Sequence, residues 1–252
     1  LANPAPGTPR PPMPKATALV IAPTYNEVEN IGALLDGLLV HPDNVHVLVV
    51  DDASKDGTAE VVRDRAARCP ERVFLLERPG KLGLGTAYLA GFRHAMERGY
   101  TFALTMDADL SHNPARIPEI LHVARMADVV IGSRYVAGGG IRNWGLHRHV
   151  LSALANALAR GFGGLRARDC TSGYRCYRVE LLRKLDLDGM RSDGYSSLLE
   201  LLALCQRRRA RIREVPIIFL DRAAGKSKIS HKEILKAFKT LAVVRRRLAK
   251  TI

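Results

Sequence analysis

The sequence predicts an α/β protein built on a mostly parallel sheet with helices on both faces. Three observations support this fold class. Short apolar runs of strand length alternate with longer segments whose apolar residues recur at helical spacing. The apolar runs do not alternate with polar residues, which is typical of strands buried on both faces. Polar residues cluster after the runs, as expected where strand ends form a ligand site at one edge of the sheet.

Strand and helix alternate regularly in the first half of the chain. Mostly apolar runs of strand length lie at residues 19–22, 45–50, 73–76 and 102–106, and the first and third of them are apolar throughout. Each run leads through a turn-rich loop into a segment with apolar residues three and four positions apart. These helices are predicted around residues 31–39, at residues 59–68, at residues 86–97 and from Pro114 onward. The last of these helices is predicted to begin at Pro114, because proline is favoured in the first turn of a helix.

The second half of the chain is less regular. A fifth strand is predicted at residues 128–131, and residues 169–175 are predicted to form a polar loop. A helix is predicted at residues 194–206, followed by a strand at residues 212–219 in which Pro216 marks a sheet edge or a bulge. Residues 150–162 form an amphipathic helix with two open interpretations. It either packs its apolar face on the core or lies at a membrane interface.

The chain is predicted to have three parts. Residues 1–15 form a Pro-rich linker, because six prolines favour an extended, solvated segment. Residues 16–230 form the α/β domain. Residues 231–252 form a basic amphipathic helix that suits either a solvated surface or an anionic membrane surface. The linker also predicts a membrane-anchoring domain or protein upstream of residue 1.

The charge of the chain limits its partners. Lys and Arg number 39 against 25 Asp and Glu, so the formal net charge is +14 and anionic partners are expected. Nucleic acid is not expected among them, because the cations are not interleaved with aromatic residues, which make up only 6% of the chain. The four cysteines form no Cys-x-x-Cys pair, which favours free thiols over a zinc site.

Asp107 and Asp109 follow the apolar run at residues 102–106. On an extended backbone, residues i and i+2 point to the same side, so both carboxylates could hold one ion. Two hard oxygen ligands suit Mg²⁺ or Mn²⁺ bound jointly with substrate phosphates. The alternative is an Asp-rich turn that caps the next helix. His112, close by, is either a further ligand or a turn residue.

The motifs, in chain order, resemble the inverting, metal-dependent glycosyltransferases of family two and the GT-A fold. Among these, they are most similar to the polyprenol- (dolichol-) phosphate mannose synthases. The motifs that carry the resemblance are Pro23-Thr24-Tyr25-Asn26-Glu27, Val50-Asp51-Asp52, Gly57-Thr58, Asp107-Ala108-Asp109-Leu110-Ser111-His112, Gly132-Ser133-Arg134-Tyr135, Thr171-Ser172-Gly173-Tyr174-Arg175, and Arg222 with Gly225, Ser227 and Lys228.

The resemblance implies a GT-A (Rossmann-like) domain over residues 16–230 and a specific reaction. Mannose passes from GDP-mannose to polyprenyl (dolichyl-type) phosphate with inversion, giving β-mannosyl phosphoryl polyprenol, with Mg²⁺ or Mn²⁺ as cofactor. The implied location is peripheral, on the cytoplasmic face of an anionic membrane surface. Two alternatives stay open. One is transfer of glucose or another sugar from a UDP-sugar to the same lipid phosphate. The other is a catalytically inactive membrane-surface binding module.

The resemblance also implies a role for individual residues. The nucleoside is implied to contact Pro23, Tyr25, Glu27, Val50 and Asp52. The metal and the diphosphate are implied to contact Asp107, Ala108 and Asp109, with Arg222 and Lys228 closing over the diphosphate. The acceptor phosphate is implied to contact Arg134 and Arg148, and the implied catalytic residues are Asp109, Arg134 and Arg148.

Two positions depart from the pattern of the family. Ser111 stands where many relatives have Gln, which leaves a third protein ligand to the metal open. Ser197-Leu198 stands where relatives commonly have Phe-Gln, so the preference for sugar or acceptor could differ.

Overall fold

The computed structural model describes residues 17–42, 44–190, 192, 194, 196–221 and 240–246. Its strands are β1 (Ala18–Thr24), β2 (Val45–Asp51), β3 (Val73–Glu77), β4 (Phe102–Thr105), β5 (Val129–Ser133), β6 (Gly140–Arg142), β7 (Arg175–Arg178), β8 (Ile212–Pro216) and β9 (Ile218–Leu220). Its helices are α1 (Val28–Leu39), α2 (Thr58–Arg68), α3 (Leu84–Glu97), α4 (Ile117–Ala124), α5 (Leu146–Gly161), α6 (Val179–Arg183) and α7 (Ser196–Arg207).

Seven strands form one sheet in the order β3-β2-β1-β4-β7-β5-β8. Each neighbouring pair is parallel except the two that involve β7, which runs antiparallel between β4 and β5. The prediction of a mostly parallel sheet is therefore confirmed. The strand order reverses between β1 and β4, and open α/β sheets bind ligands beyond the carboxyl ends of strands at such a point. Strands β6 and β9 form a separate two-stranded parallel ribbon.

The sheet is buried on both faces, which explains the continuous apolar runs. In β1, Leu19 and Ile21 belong to one apolar layer, whereas Ala18 and Val20 belong to the other. Helices α3 and α7 contribute to the first layer, and α1 and α4 to the second. Because successive side chains of a strand point to opposite faces, burial on both sides requires an apolar residue at every position.

The predicted polar loop is confirmed over residues 169–174, but the sequence did not predict strand β7, which begins at Arg175. Arg175 begins this strand and is completely buried. Its guanidinium donates hydrogen bonds to the carbonyl oxygens of Cys170 at 2.6 Å and Leu198 at 2.8 Å. The strand is only four residues long and has an arginine at each end, so its composition resembles that of a loop. Tertiary contacts that satisfy the buried guanidinium make the strand possible.

The prediction of one strand over residues 212–219 is wrong, because the segment forms two strands, β8 and β9, in different sheets. Strand β8 ends at Pro216, on the edge of the seven-stranded sheet, as expected for a residue that lacks a backbone N–H. Ile217 then donates its N–H to the carbonyl of Ser133 at 3.0 Å, while its own carbonyl accepts from the N–H of Gly140 at 3.0 Å. The chain thus leaves the sheet at Ile217 and continues as β9 in the ribbon.

Helix α5 packs on the core only near its C-terminal end, through Leu158 and Ala159, so the core-packing interpretation holds for part of the helix. Leu146, Val150 and Leu154 are 79%, 57% and 53% exposed, respectively. The buried residues of this helix are Asn156 and Ala159. The apolar stripe is therefore exposed over Leu146, Val150 and Leu154, whereas Leu158 packs on the layer shared with α3 and α7.

The three-part division of the chain stays a prediction. Residues 1–16, including the Pro-rich linker, lie outside the described residues. Of the predicted C-terminal helix, residues 240–246 are described and helical, and Leu241 and Val244 are buried in the layer shared with α3 and α7. In the described part of the chain, no helix is both long enough and apolar enough to cross a membrane.

We expect Gly91→Ala to destabilise the fold. A Cβ at position 91 in α3 would lie 2.8 Å from Cδ1 of Ile21, which is fully buried in β1. Overpacking of this kind costs about 1–3 kcal/mol of unfolding free energy. Gly32→Ala in α1 is the matched control, since its Cβ would meet no atom within 4 Å. That change should stabilise by about 0.5–1 kcal/mol, because alanine favours a helix more than glycine does. Urea unfolding of both variants measures the difference, and equal effects would show that α3 does not pack on β1 in this way.

Candidate active site

The loops after β1 and β2 are joined by the buried carboxylate of Asp51. Its Oδ1 accepts hydrogen bonds from the hydroxyls of Thr24 at 2.7 Å and Ser54 at 2.6 Å. Its Oδ2 accepts from the backbone N–H of Ser54 at 2.8 Å. Asp51 therefore holds two neighbouring strand ends in one arrangement, and its role is structural.

A second carboxylate holds the start of α1 against the loop after β2. The Oδ2 of Asp56 accepts from the N–H of Val28 at 3.0 Å, and its Oδ1 accepts from the hydroxyl of Thr58 at 2.6 Å. Thr58 Oγ1 in turn accepts from the N–H of Glu27 at 2.9 Å. Partial burial opposes ionisation of Asp56, but the hydrogen bonds from Thr58 and Val28 outweigh it and lower the pKa of this carboxyl. These contacts position Tyr25 and Glu27 at the edge of the sheet.

Asp52 holds the segment between β3 and α3. Its carboxylate forms an ion pair with Arg78, with a hydrogen bond of 2.5 Å from Nε to Oδ1. Its Oδ2 accepts from the N–H groups of Leu82 at 3.1 Å and Gly83 at 3.0 Å. Arg78 completes the arrangement by donating to the carbonyl of Gly83 at 3.0 Å. Asp52 thus shapes the wall of the crevice between β1 and α3.

The predicted nucleoside residues lie together at this edge. Pro23, Tyr25 and Glu27 are partly exposed, and Lys81 places its Nζ 3.8 Å from the centre of the Tyr25 ring. Val50 differs from them, because it has no exposed surface and belongs to the core layer under α3. Its part in nucleoside contact stays a prediction, while its packing role is visible.

Asp107 lies two residues beyond the end of β4 and is positioned by three aromatic side chains. The Tyr88 hydroxyl donates to Asp107 Oδ1 at 3.1 Å, and the Asp107 N–H donates to His112 Nδ1 at 3.1 Å. The ring of His112 is buried and stacks on Tyr174 at 5.0 Å between centroids. A Cβ at position 173 would lie 3.3 Å from Asp107 Oδ1, so Gly173 permits a close approach.

His112 therefore occupies the turn, as one interpretation predicted, but it is not a surface residue. Burial lowers the pKa of its imidazole, although the neighbouring carboxylates of Asp107 and Asp109 oppose this shift. Since Nδ1 accepts a hydrogen bond, the ring is neutral and carries its proton on Nε2. The ring orients the loop that carries the carboxylates.

Asp109 is buried and forms a tight local turn. Its Oδ1 accepts from the N–H of Ser111 at 3.1 Å and from the hydroxyl of Ser111 at 2.5 Å. The turn requires the left-handed conformation of Leu110, which has φ 62°. The next helical turn is capped by Asn113, whose Oδ1 accepts from the N–H of Ala115 at 2.9 Å. The capping role proposed for the aspartate pair is therefore wrong.

The metal-binding role of Asp107 and Asp109 stays a prediction, which rests on the chemistry of their carboxylate oxygens. Within the described residues, no cluster of three or more His, Cys, Asp or Glu side chains could hold a metal ion. If Asp107 and Asp109 hold an ion, its remaining ligands would be phosphate oxygens and water, as is common for Mg²⁺. The Ser111 hydroxyl donates to Asp109, so it orients a predicted ligand.

Arg134 follows β5 and forms a buried ion pair with Asp169. Its Nε and Nη2 donate to the two oxygens of Asp169 at 2.7 and 2.8 Å, and Nη2 also donates to Thr171 Oγ1 at 2.6 Å. Burial would raise the pKa of the Asp169 carboxyl, but the hydrogen bonds and charge of Arg134 outweigh it and lower that pKa. Asp169 is fully buried in the loop before β7. The pair joins this loop to the end of β5.

Arg148 lies in the first turn of α5 and pairs with Asp221, which follows β9. Its Nη1 donates to Asp221 Oδ2 at 2.5 Å. Its guanidinium carbon lies 4.4 Å from the centre of the Trp144 ring. Arg134 lies 5.7 Å from the same ring. The structure thus brings together the two arginines predicted to bind the acceptor phosphate, although they are separated along the chain.

An aromatic wall connects these arginines with the carboxylates. We define it by four residues that touch in sequence: Tyr174, His112, Phe219 and Trp144. The ring centroids are 5.0 Å apart for Tyr174 and His112, 5.6 Å for His112 and Phe219, and 5.4 Å for Phe219 and Trp144. One end of the wall supports the loop of Asp107, and the other supports Arg148.

Sequence reasoning missed several residues of the site: Arg78, Trp144, Asp169 and Phe219. Arg78 follows the end of β3, so the same rule that singled out the other polar strand ends could have found it. Asp169 and Phe219 carried no local signal, because their partners are distant along the chain. Arg222 and Lys228, predicted to close over the diphosphate, lie outside the described residues.

Comparison with known proteins finds relatives among the glycosyltransferases. The family model for Glycosyl transferase family 2 matches residues 19–186. An undecaprenyl-phosphate mannosyltransferase of Micrococcus luteus is 46% identical over 212 residues, which are 84% of this chain and 87% of the relative. A polyprenol monophosphomannose synthase of Mycolicibacterium smegmatis is 45% identical over 226 residues, which are 89% of this chain and 85% of the relative.

A solved structure confirms the GT-A fold. Glucosyl-3-phosphoglycerate synthase from Mycobacterium tuberculosis, crystallised with Mn²⁺, UDP and glucosyl-3-phosphoglycerate, superposes with a TM-score of 0.66. The match covers 93% of this chain and 81% of that chain at 20% sequence identity. At this identity the likeness concerns the fold alone.

We expect Asp169→Asn to destabilise the protein strongly, because it leaves the buried guanidinium of Arg134 without a counterion. The expected loss is about 3–5 kcal/mol of unfolding free energy at neutral pH. The folded pKa of Asp169 lies below its unfolded value, so its contribution is complete at neutral pH and declines as the pH falls below about 4. Chemical denaturation across this range measures both effects.

Glu180→Gln is the matched control for the loss of an acidic charge. Glu180 pairs with Lys184 on the surface of α6, and the variant should change stability little. Equal effects of the two substitutions, or an unchanged acid dependence in Asp169→Asn, would contradict the importance of the buried pair.

Proposed function

Because this chain belongs to glycosyl transferase family 2, we propose that it transfers mannose from GDP-mannose to polyprenyl phosphate with inversion. The product is β-mannosyl phosphoryl polyprenol. The observation that carries this proposal is the sequence identity of 45–46% with two relatives, over most of the length of both chains. One relative is named as an undecaprenyl-phosphate mannosyltransferase and the other as a polyprenol monophosphomannose synthase. The geometry adds one aromatic wall that contacts both arginines and supports the loop of Asp107.

In this proposal the donor lies over the ends of β1, β2 and β4. Pro23, Tyr25, Glu27, Val50 and Asp52 form the nucleoside end of the site. The diphosphate end is formed by Asp107, Ala108 and Asp109, with Arg222 and Lys228 closing over it. A bound Mg²⁺ or Mn²⁺ supplies positive charge that stabilises the departing GDP. Tyr88 and Ser111 hold the carboxylates in place through their hydroxyl groups.

The acceptor phosphate lies beside Arg134 and Arg148 in this proposal. One of its oxygens attacks C1 of mannose while the bond from C1 to GDP breaks on the opposite side, and GDP leaves with the bonding electrons. A phosphate monoester is largely ionised near neutral pH, so this nucleophile needs no general base. The arginines orient the acceptor and offset its repulsion from the donor diphosphate.

The ion pairs of the two arginines distinguish their roles. Asp169 holds Arg134 through two hydrogen bonds, so its guanidinium is fixed before a ligand arrives. Asp221 holds Arg148 through one hydrogen bond in a partly exposed position, so an acceptor phosphate can compete for it. Arg134→Ala would leave Asp169 buried and unpaired, and it would therefore reduce stability as well as acceptor binding.

The proposal includes a peripheral location on the cytoplasmic face of a membrane, next to the lipid acceptor. It is supported by the exposed apolar stripe of α5, which begins two residues before Arg148. Apolar side chains can enter the boundary between lipid head groups and acyl chains. The net charge of +14 favours the cytoplasmic leaflet, which carries anionic lipids.

We expect lipid-linked mannose to form when the protein is incubated with labelled GDP-mannose, polyprenyl phosphate and Mg²⁺ or Mn²⁺. Asp109→Asn should lower the rate about 100-fold or more, because it weakens the hold on the ion at the diphosphate. Extraction of the labelled lipid and its chromatography measure the product. Calorimetry of GDP-mannose binding, with and without the ion, shows whether Asp109→Asn impairs metal-dependent donor binding or the transfer step that follows it.

Parallel reactions with labelled UDP-glucose serve as the control for the donor. Transfer from UDP-glucose alone would mean that the sugar is wrongly assigned. No lipid product from either donor would favour a catalytically inactive membrane-surface module. Full activity of Asp109→Asn would mean that the carboxylates do not hold the ion.

We expect the protein to bind vesicles that contain anionic lipid, and to bind them less as the salt concentration rises. The double change Val150→Asp with Leu154→Asp should weaken binding about tenfold or more, because it removes two apolar anchors from α5. Met126→Asp is the control, since Met126 is equally exposed but lies outside α5. Vesicle sedimentation measures binding. Equal losses in both proteins, or no need for anionic lipid, would contradict this docking face.

A further inference from the structure

Trp144 contacts both arginines of the proposed acceptor site. It lies between β6 and α5, with its ring centre 4.4 Å from the guanidinium carbon of Arg148 and 5.7 Å from that of Arg134. A guanidinium close to an aromatic face is attracted by the ring and loses freedom to rotate. Trp144 therefore restricts the orientation of Arg148, which is otherwise held by a single hydrogen bond to Asp221.

Two neighbouring donors in this contact are buried without an acceptor. The indole Nε1 of Trp144 and the Nε of Arg148 find no hydrogen-bond partner within the described part of the chain. Both groups can only donate. A buried N–H without an acceptor is unfavourable, and a buried tryptophan usually satisfies its indole N–H. An anionic oxygen beside both residues would satisfy these donors and interact favourably with the charge of Arg148.

The position of Trp144 connects this pair of donors with the donor half of the site. Its ring meets Phe219 in a T-shaped contact at 5.4 Å, and Phe219 meets His112 in a T-shaped contact at 5.6 Å. His112 accepts the N–H of Asp107. A phosphate placed beside Trp144 is therefore connected through packed rings to the loop that is proposed to hold the metal and the diphosphate.

We propose that Trp144 is an acceptor-positioning residue for a phosphate monoester. Its ring sets the plane of the Arg148 guanidinium, and its indole N–H, together with Nε of Arg148, donates to the acceptor phosphate. This role rests on the proposed function, because the proposed function identifies the phosphate as that of a polyprenyl lipid. The chemistry recognised at Trp144 is the phosphate group itself.

Two substitutions separate the two contributions of the ring. Trp144→Phe keeps an aromatic face for Arg148 but removes the N–H, and it should raise KM for a short-chain polyprenyl phosphate about five- to tenfold. Trp144→Leu removes both the aromatic face and the N–H, and it should raise the KM for the polyprenyl phosphate about 20-fold or more. The KM for GDP-mannose should change less than about twofold in each case. Initial-rate measurements with each substrate varied in turn provide the comparison.

Phe74→Leu is the matched control. Phe74 lies in β3 and carries an arginine, Arg98, 5.7 Å from its ring centre, away from the acceptor site. A general loss of aromatic packing would affect this variant as well, whereas the proposal expects its KM for the lipid phosphate to stay unchanged. Unchanged KM for lipid phosphate in both Trp144 variants, or an equal rise in KM for both substrates, would overturn the proposal.

Trp144 also provides a direct spectroscopic readout, because it is the single tryptophan of the chain. A short-chain prenyl phosphate added without a donor should change its fluorescence in a saturable way. The corresponding prenol without phosphate should have no such effect. In Arg148→Ala the response should require about tenfold more ligand, because the anion loses its charged partner. An equal response to the prenol, or a response that does not depend on Arg148, would overturn the proposal.

Two further ligands, inorganic phosphate and GDP-mannose, are added in the same fluorescence titration to identify which phosphate Trp144 contacts. Inorganic phosphate should act only at a higher concentration than the prenyl phosphate, and saturation at the same concentration would overturn a lipid phosphate as the ligand. GDP-mannose with Mg²⁺ should not compete with the prenyl phosphate, and direct competition would assign Trp144 to the donor. The titration needs no turnover. If no sugar is transferred but the titration behaves as expected, the proposed function fails and the phosphate site stands.

Discussion

Strand β7 runs antiparallel between β4 and β5, so the loop that enters it lies at the edge where those two strands end. The loop contacts both halves of the site. Asp169 holds Arg134 at the end of β5, and the carbonyl of Gly173 accepts from Thr105 at the end of β4. The absence of a side chain at Gly173 also leaves room for Asp107. A parallel strand in this place would begin at the opposite edge and could not join the carboxylates to the arginines.

The site combines unlike charges, and each buried or partly buried arginine has its own counterion. Arg134 is paired with Asp169 and Arg148 with Asp221. Burying a guanidinium without a counterion would be strongly unfavourable. Asp169 meets this requirement for Arg134 and is fully buried, whereas Asp221 meets it for Arg148 and is partly exposed. The two ion pairs therefore differ in their access to solvent.

Much of the fold was predictable because it depends on local patterns. Runs such as residues 19–22 and 73–76 are apolar at every position, and the order of strands and helices then implies a parallel sheet with its polar ends together. Strand β7 was not predictable in this way, since Arg175 resembles a loop residue until Cys170 and Leu198 accept its hydrogen bonds. The break at Ile217 likewise depends on Ser133 and Gly140, which are far away along the chain.

The sequence by itself determined the class of fold, the family and the position of the two carboxylates at a strand end. These follow from residue types at short spacings, where the backbone geometry is enough to relate them. Only the tertiary structure decided that His112 is buried against Tyr174 and Phe219 and that α5 exposes most of its apolar stripe. It alone brought Trp144 to Arg134 and Arg148. Contacts between residues far apart along the chain depend on how whole elements pack, and no local pattern of residues encodes that packing.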